Sequence, residues 1–369
     1  MSLINIIYSA VKFVFNFRVL EIRQAWRTSI VCIICLFINR HFLQGEFPAW
    51  AIVTAVVCLQ SNFGATLKRV KQRVIGTILG CALALSLTLL FPDNVYLSIG
   101  ILLVSILLAI YNSLYNTYSY TYTVFFFTLG LIAIFSTIFH NGREFAILRI
   151  EDVALGALVG TLGSLVLWPD FARKTFKNDL LKVVSEIENY FIIIRNWVGG
   201  EASEESVYAQ KIVSATSNQE ARNKISEIYY ELGSKKYPLK EYESFILSQE
   251  RIHYSLLNIY NTLQLNSYEK KINGLSSVSI QLETIQDFFR MSVARLPLSK
   301  RNIQLHDTGN EMKLLQKLEK QAEEGISHYR RKENSLDHKK FILLLEKLVN
   351  DIKLMNEEIN KIYDYYHLH

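Results

Sequence analysis

The sequence lacks the motifs that define ATP-driven pumps and the common classes of enzyme. Its 369 residues contain no glycine loop ending in Gly-Lys-Ser or Gly-Lys-Thr, no nucleophile–base–acid set and no cluster of metal ligands. Cysteine is rare, and although Cys32 and Cys35 have the spacing of a metal or redox pair, no second pair lies nearby. We interpret the four cysteines as small apolar packing residues. We therefore expect no enzymatic activity, no cofactor and no metal.

Charged residues are scarce in the first part of the chain and abundant in the second. Residues 1–169 carry 11 Lys and Arg against 6 Asp and Glu, whereas residues 170–369 carry 29 against 28. Residues 94–142 contain no Asp, Glu, Lys or Arg, and a run of this length suits two membrane spans of about 20 residues each. Neither part has the strongly basic surface of a nucleic-acid-binding protein. The change in composition predicts a boundary at Pro169.

Six apolar segments predict a bundle of six transmembrane helices. They cover residues 25–43, 47–60 and 74–91, two stretches within 94–142, and residues 146–168. The first segment is short between Arg27 and Arg40, whose side chains we expect to snorkel outward. Before it, apolar residues at helical spacing predict an interfacial helix on the cytoplasmic side. The predicted domains are thus the N-terminal helix 1–24, the membrane domain 25–169 and a domain 170–369.

A basic cluster fixes the predicted orientation of the bundle. Lys68, Arg69, Lys71 and Arg73 directly precede the third span, and further cations follow the sixth. Cations beside membrane spans stay in the cytoplasm, so both termini of this multi-pass protein are predicted to be cytoplasmic. The same cluster is expected to attract membrane lipid or an anionic substrate.

Two rows of small residues predict close helix packing. Gly76 and Gly80 lie in the third span, and Gly156 and Gly160 lie in the sixth. Because each row follows an arginine in its span, the two halves of the bundle are interpreted as a 3+3 inverted repeat, as in many secondary transporters. One row can also serve between two subunits, which predicts a homodimer.

Residues 170–369 show the periodicity of soluble amphipathic helices and no strand alternation. Breaks at Gly, Pro and Asn separate six helical segments, which cover residues 171–198, 204–232, 239–265, 275–296, 311–331 and 339–365. The whole chain is therefore predicted to be all-α, with an all-helical cytoplasmic domain after the membrane bundle.

The candidate substrate-binding residues lie at the two ends of the predicted bundle. Arg69 and Arg73 can hold a carboxylate through bidentate guanidinium bonds, or they can serve only to set the topology and bind lipid. Arg149 and Asp152 are three residues apart, so they can form an interfacial ion pair, gate the outer end or carry a proton. Five tyrosines between residues 111 and 122 are interpreted as an interfacial belt, in preference to a stacking platform for an aromatic substrate.

Three separate motifs, in the right order, resemble the fusaric acid resistance-like family of membrane transporters. The motifs are Phe47-Pro48-Ala49-Trp50 with Thr54, then Gly64-Ala65-Thr66-Leu67 followed by basic residues and Arg73-x-x-Gly76-Thr77-x-x-Gly80, and finally Arg149-Ile150-Glu151-Asp152 followed by Gly156, Gly160 and Trp168-Pro169. The plant aluminium-activated malate transporters are distantly similar. The resemblance covers roughly residues 20–175.

The resemblance implies a bacterial inner-membrane exporter of small organic anions, aromatic carboxylates in particular, that is not driven by ATP. It adds Trp50 and Thr77 to the substrate-binding candidates, and a periplasmic adaptor protein to the expected partners. Many members resemble two such units fused, whereas this chain has one, which again favours a homodimer. Two alternatives stay open: an organic-anion channel, and a membrane-anchored helical scaffold or sensor without transport activity.

Overall fold

The computed structural model describes residues 19–43, 48–91, 95–115, 119–139, 142–231, 237–267, 275–296, 309–330 and 336–368. Within these ranges every regular element is a helix, which confirms the predicted all-α fold. The chain divides into two compact units, one of Met1–Ala172 with Tyr230–Leu232 and one of Arg173–Tyr229 with Gly233–His369. The interfacial helix predicted for residues 1–24 lies largely outside the described residues.

The described part of the first unit contains six α-helices and a short π-helix. They are α1 (Leu20–Ile38), the π-helix Asn39–Leu43, α2 (Pro48–Cys58), α3 (Phe63–Leu90), α4 (Val95–Tyr115), α5 (Tyr120–Phe139) and α6 (Gly142–Val166). Helix α3 begins well before the predicted start at residue 74, because the Asn62 side chain caps it by accepting a 2.8 Å hydrogen bond from the backbone N–H of Ala65. The basic cluster is therefore part of the helix.

The first unit exposes many large apolar side chains on its surface and buries several polar side chains in its interior. Helices α3 and α4, with 28 and 21 residues, are each long and apolar enough to cross a membrane. Large apolar side chains such as Phe37, Leu107 and Leu158 are exposed on α1, α4 and α6. The guanidinium-bearing residues Arg73 and Arg149 are instead buried. This distribution suits a lipid environment, in which charged side chains face the interior of a helix bundle.

The glycine rows bring α3 against α5 and α6 against α2. A Cβ at Gly76 would lie 2.6 Å from the carbonyl oxygen of Thr121, and a Cβ at Gly156 would lie 2.5 Å from that of Ala51. At Gly80 the nearest atom is the carbonyl oxygen of Phe125, four residues after Thr121. At Gly160 it is the carbonyl oxygen of Ala55, four residues after Ala51. The two halves thus make the same contact in the same register. Since both rows pack within one subunit, neither is free to support the predicted homodimer.

One side chain differs from its predicted position. Arg27 does not snorkel but is buried, and its Nη2 donates hydrogen bonds to the carbonyl oxygens of Gln60 and Ser61. Carbonyl groups at and beyond the end of a helix have no partner within it, and α2 ends at Cys58. Arg27 therefore joins α1 to the chain that follows α2, whereas Arg40 is exposed as expected.

The described part of the second unit is a bundle of long helices. They are α7 (Ala172–Val198), α8 (Glu204–Tyr229), α9 (Leu239–Ser267), α10 (Leu275–Ala294), α11 (Gly309–Arg330) and α12 (Leu336–Leu368). The largest fully buried side chains are aromatic, namely Tyr190, Phe191, Phe245, Phe288 and Phe289. Polar pairs are buried among them, such as Ser255, which donates a 2.7 Å hydrogen bond to Asp351. These pairs fix the helix register inside an apolar core.

Candidate functional site

Trp50 and Arg149 contact each other in the interior of the first unit. The guanidinium carbon of Arg149 lies 4.6 Å from the centre of the Trp50 ring, which is a cation–π geometry. Arg149 is only 4% exposed, and its Nε and Nη1 have no hydrogen-bond partner among the described residues. A buried cation with unused donors is costly unless water or a ligand satisfies it. Arg149 therefore has hydrogen-bond donors free for an anion.

Two cavities share Trp50 and Arg149 in their walls. One, the Asp152 cavity, has a volume of about 250 Å³ and is completed by Asp152, Leu131, Phe135, Phe145 and Leu148. The other, the Arg73 cavity, has a volume of about 380 Å³ and extends to Arg73 and Tyr120, with Val53, Val124 and Phe127 among its apolar walls. Apolar walls with a few converging polar groups are typical of small-molecule sites.

Tyr120, the first residue of α5, contacts both arginines of α3. Arg73 donates a 2.9 Å hydrogen bond from Nη1 to the Tyr120 hydroxyl. The guanidinium carbon of Arg69 lies 4.0 Å from the centre of the same ring. Arg73 is buried and lines the Arg73 cavity, whereas Arg69 is half-buried and is not among the residues that line either cavity. Arg69 and Arg73 are both predicted to hold a carboxylate, but only Arg73 lines a cavity in the structure.

The repeated contact register relates Arg149 to Arg69. Each lies seven residues before the first glycine of its row and packs on an aromatic ring, Trp50 or Tyr120, on the facing helix. Trp50 directly precedes Ala51, whose carbonyl oxygen faces Gly156. Tyr120 directly precedes Thr121, whose carbonyl oxygen faces Gly76. The inverted repeat predicted from the sequence takes Arg73 as the arginine before the first row and Arg149 as the arginine before the second, but the contact register pairs Arg149 with Arg69 instead. The position in α6 that corresponds to Arg73 is a valine, so Arg73 breaks the symmetry of the two halves.

Asp152 accepts a hydrogen bond from Asn39 and does not form the ion pair that its spacing from Arg149 allowed. The Nδ2 of Asn39 lies 3.2 Å from the Oδ1 of Asp152. Asn39 opens the π-helix, a type of turn that is frequent at functional sites. Asp152 is 8% exposed, and neither it nor Arg149 has an ion-pair partner in the part of the chain that the structure describes. The two side chains thus lie one helical turn apart without direct ion-pair contact.

Thr77 is buried but is not among the residues that line either cavity. Its Oγ1 has no hydrogen-bond partner within the described ranges, and the same holds for Thr54 on α2 and Thr128 on α5. The structure therefore brings Trp50, Arg73 and Arg149 together at one cavity, and Thr77 is not part of that cavity.

Two contact residues of the site have other predicted roles or none: Tyr120 is assigned to the interfacial belt, and Asn39 has no predicted role. Tyr120 lies in the tyrosine-rich stretch, where Tyr111 and Tyr115 are exposed as an interfacial belt requires. Tyr120 alone of these three reaches the Arg73 cavity. Asn39 precedes Arg40 at the end of an apolar segment, and its only sequence signal is an amide at that position. The contacts of Tyr120 with Arg73 and of Asn39 with Asp152 join residues far apart in the chain, so no local sequence pattern predicts them.

The polar groups of the two cavities suit the binding of an anion. They are two guanidinium groups, one carboxyl group and several hydroxyl groups that face mainly apolar walls. Within the described ranges, no three His, Cys, Asp or Glu side chains come close enough to hold a metal ion. Guanidinium groups in surroundings of low polarity attract carboxylates strongly, because little water screens the charge.

The region that holds this site is similar to known proteins. Residues 30–163 match the model of the fusaric acid resistance protein-like family. The chain is 29% identical over 185 residues to an uncharacterised protein of Haemophilus influenzae, a match that covers 47% of this chain and 25% of that protein. It is 31% identical over 141 residues to the uncharacterised membrane protein YvaC of Bacillus subtilis, with 37% and 21% covered.

A third relative is the inner membrane protein YccS of Escherichia coli, which is 25% identical over 122 residues, with 33% of this chain and 16% of YccS covered. The chain thus matches a quarter or less of the length of these relatives. Two of the three are named as membrane proteins, in agreement with the apolar exterior of the first unit. The family match also confirms the resemblance carried by the three motifs. Residues 30–163, from α1 to α6, are therefore the part of the chain that is similar to the fusaric acid resistance protein-like family.

Proposed function

We propose that the protein moves small organic anions, aromatic carboxylates in particular, across a bacterial inner membrane without using ATP. The observation that carries the proposal is the buried Arg149, whose unused donors lie in the shared wall of two mainly apolar cavities. A cation held there without a carboxylate partner is costly, and a substrate carboxylate would remove that cost. The family match supports a membrane transport role in general terms.

The preference for an aromatic acid rests on the walls of the Arg73 cavity. Trp50, Tyr120 and Phe127 offer ring faces and edges, while Arg73 and Arg149 offer guanidinium groups. A flat acid can place its carboxylate on one arginine through paired hydrogen bonds and its ring among the aromatic side chains. An aliphatic acid of equal charge would gain the first interaction and little of the second.

The membrane arrangement is part of the same proposal. We infer that α1–α6 cross the membrane as a six-helix bundle with both termini in the cytoplasm, and that residues 170–369 form a cytoplasmic domain. The shared contact register of the glycine rows supports a 3+3 inverted repeat, which commonly places the substrate at the interface of the two halves. A homodimer, membrane lipid and a periplasmic adaptor protein stay as proposed partners.

Flux through reconstituted vesicles tests the transport proposal. We expect wild-type vesicles to release preloaded benzoate faster than cyclohexanecarboxylate or malate. Arg149→Gln removes the buried cation and should lower benzoate flux by about tenfold or more, the effect of one charge-assisted hydrogen bond of about 1.5–3 kcal/mol. Arg143→Gln is the matched control, because Arg143 lies on the same helix but is exposed. Its flux should equal that of the wild type.

The alternatives predict different results in the same vesicles. A channel would pass benzoate without saturation and in proportion to the applied voltage, whereas a carrier saturates. A scaffold or sensor would pass none of the three acids although the wild-type protein is folded and inserted. Equal flux through the wild type and Arg149→Gln would contradict the role assigned to Arg149.

A further inference from the structure

We propose that Asp152 takes up one proton when a carboxylate binds at Arg149, so that the anion and the proton bind together as an electrically neutral pair. This inference rests on the proposed function, because it assigns the anion to Arg149. It adds the proton as a second transported species and assigns Asp152 as the residue that binds it.

Asp152 is a buried carboxyl group with a single hydrogen bond in the described part of the chain. It is 8% exposed, lines the Asp152 cavity and accepts from Nδ2 of Asn39 at 3.2 Å. The cavity walls around it are otherwise mostly Leu and Phe side chains. An ionised carboxylate in such a place needs a nearby cation, and Arg149 lies one helical turn away on the same helix. Arg149 thus favours the charged form of Asp152 while no anion is bound.

A carboxylate bound at Arg149 reverses this balance. The guanidinium charge is then neutralised, and a second negative charge lies beside Asp152. Two carboxylates that share one site do not both stay ionised without a large cost, so one of them takes a proton from water. The substrate acid is already paired with the guanidinium group, so Asp152 is the group that becomes protonated. Binding of the anion and binding of the proton therefore strengthen each other.

Asn39 can serve both protonation states of Asp152. When the carboxyl group is ionised, the Asn39 amide donates to it. The Oδ1 of Asn39 is buried and has no hydrogen-bond partner within the described ranges. After rotation of the amide, this oxygen can accept from the O–H of a protonated Asp152. The pair thus keeps one hydrogen bond whether the proton is present or absent.

Few other ionisable groups face Asp152 from the helices packed around it. Helices α2 and α5 carry no Asp, Glu, Lys or Arg. The neighbour Glu151 is exposed, as are Arg40 and His41 of the π-helix. The remaining groups are the buried thiols of Cys35 on α1 and Cys81 on α3, the guanidinium group of Arg73 on α3, and the tyrosines of α5. Of the groups named here, only Glu151 is an acid that is ordinarily ionised at neutral pH, and its charge is present with and without the anion. The bound anion is therefore the new negative charge that Asp152 meets.

Calorimetry on the purified full-length chain tests the coupling. Benzoate is titrated into the protein at pH 7 in phosphate and in Tris, two buffers with very different heats of ionisation. The difference in measured heat gives the number of protons taken up per benzoate, and we expect a value close to one. Asp152→Asn should bind benzoate with an uptake near zero, and Glu151→Gln, the exposed neighbour, should match the wild type. Binding to the wild type without proton uptake, or uptake that persists in Asp152→Asn, would overturn the inference.

A second measurement needs no anion and separates this inference from the proposed function. Arg149→Gln removes the cation permanently, so Asp152 should already be protonated at pH 7 in that variant. The infrared difference spectrum of Arg149→Gln against Arg149→Gln/Asp152→Asn should then show the carbonyl band of a protonated acid, and wild type against Asp152→Asn should not. Lack of that band, in variants whose helical content equals the wild type, contradicts the role of Asp152. Lack of any benzoate binding contradicts the transport proposal alone.

Discussion

Gly156 lies so close to Ala51 that a Cβ on the glycine would stand 2.5 Å from the alanine carbonyl oxygen. Gly160, one turn further along α6, has nothing nearer than 3.5 Å, although the sequence presents the two glycines as equivalent. The contact between α2 and α6 is therefore tight at one end and ordinary at the other. This difference decides which glycine can be replaced.

Gly156→Ala should destabilise the first unit by about 1–3 kcal/mol, since backbone atoms of α2 would have to move. Gly160→Ala should be neutral or slightly stabilising, because alanine favours a helix by up to about 1 kcal/mol over glycine. Thermal unfolding in one detergent measures both variants. Gly100→Ala is a further control, since that glycine has no atom within 4 Å of its added Cβ. Equal losses at residues 156 and 160 would show that the contact is not as tight as described.

The second unit contains a histidine whose burial makes its stability depend on pH. His253 is 5% exposed and shares a 2.8 Å hydrogen bond between its Nδ1 and the Ser214 hydroxyl. Burial lowers the pKa of His253 to about 4, and the charge of Lys211 adds to the effect. The unfolded chain has a histidine pKa of about 6.5, so it binds the proton first as the pH falls.

The free energy of unfolding of the second unit should therefore fall by roughly 2 kcal/mol between pH 7 and pH 5, and the loss continues until about pH 4. Pulse proteolysis of the full-length chain at several pH values measures it. His253→Gln has no charge to gain and should lose this part of the pH dependence. An unchanged slope in that variant would assign the effect to other groups.

The overall course of the helices could be predicted from the sequence because local patterns specify it. Helix α8 begins at Glu204 and α9 at Leu239, the residues expected from the breaks before them. Runs of apolar residues and turn signals act over a few positions, so they are visible in the chain itself. The sequence does not predict the extension of α3 back to Phe63, because a basic cluster beside an apolar run has the pattern of a flank, and the helix start depends on the Asn62 cap.

The contacts of the site could not be predicted in the same way. Arg73 and Tyr120 are 47 residues apart, and Asn39 and Asp152 are 113 apart. The pattern of Arg149 and Asp152 on one helix face suggested an ion pair. Instead, Arg149 contacts Trp50 on α2, and Asp152 accepts a hydrogen bond from Asn39 of the π-helix. Which partner is available depends on how the helices pack, and the glycine rows alone do not specify it.

The orientation of the chain in the membrane can be measured directly. Arg173, Lys174 and Lys177 follow α6, and such cations are retained in the cytoplasm. An alkaline phosphatase fused after Asn178 should therefore be inactive, because it folds only outside the cytoplasm. A green fluorescent protein fused at the same residue should be fluorescent. Phosphatase activity at this position would contradict the arrangement of six spans with cytoplasmic termini.

Arg73 offers the clearest separation between setting the topology and handling the substrate. It lies in the basic cluster of α3, yet it is 6% exposed, donates to the Tyr120 hydroxyl and lines the Arg73 cavity. Lys71, two residues earlier, is exposed. If the cluster served only to orient the chain, the two cations would be interchangeable. The structure gives them different surroundings, so substitutions at the two positions test the two roles separately.

Arg73→Lys keeps the charge but loses the planar guanidinium group, which binds a carboxylate through two parallel hydrogen bonds. The variant should insert normally, since the positive charge is retained. Its benzoate flux should fall by about tenfold, the equivalent of one lost charge-assisted hydrogen bond of about 1.5 kcal/mol. Arg73→Gln loses the charge as well and should transport less still, whereas Lys71→Gln should insert and transport like the wild type. Normal flux through a correctly inserted Arg73→Gln protein would show that Arg73 only orients the chain.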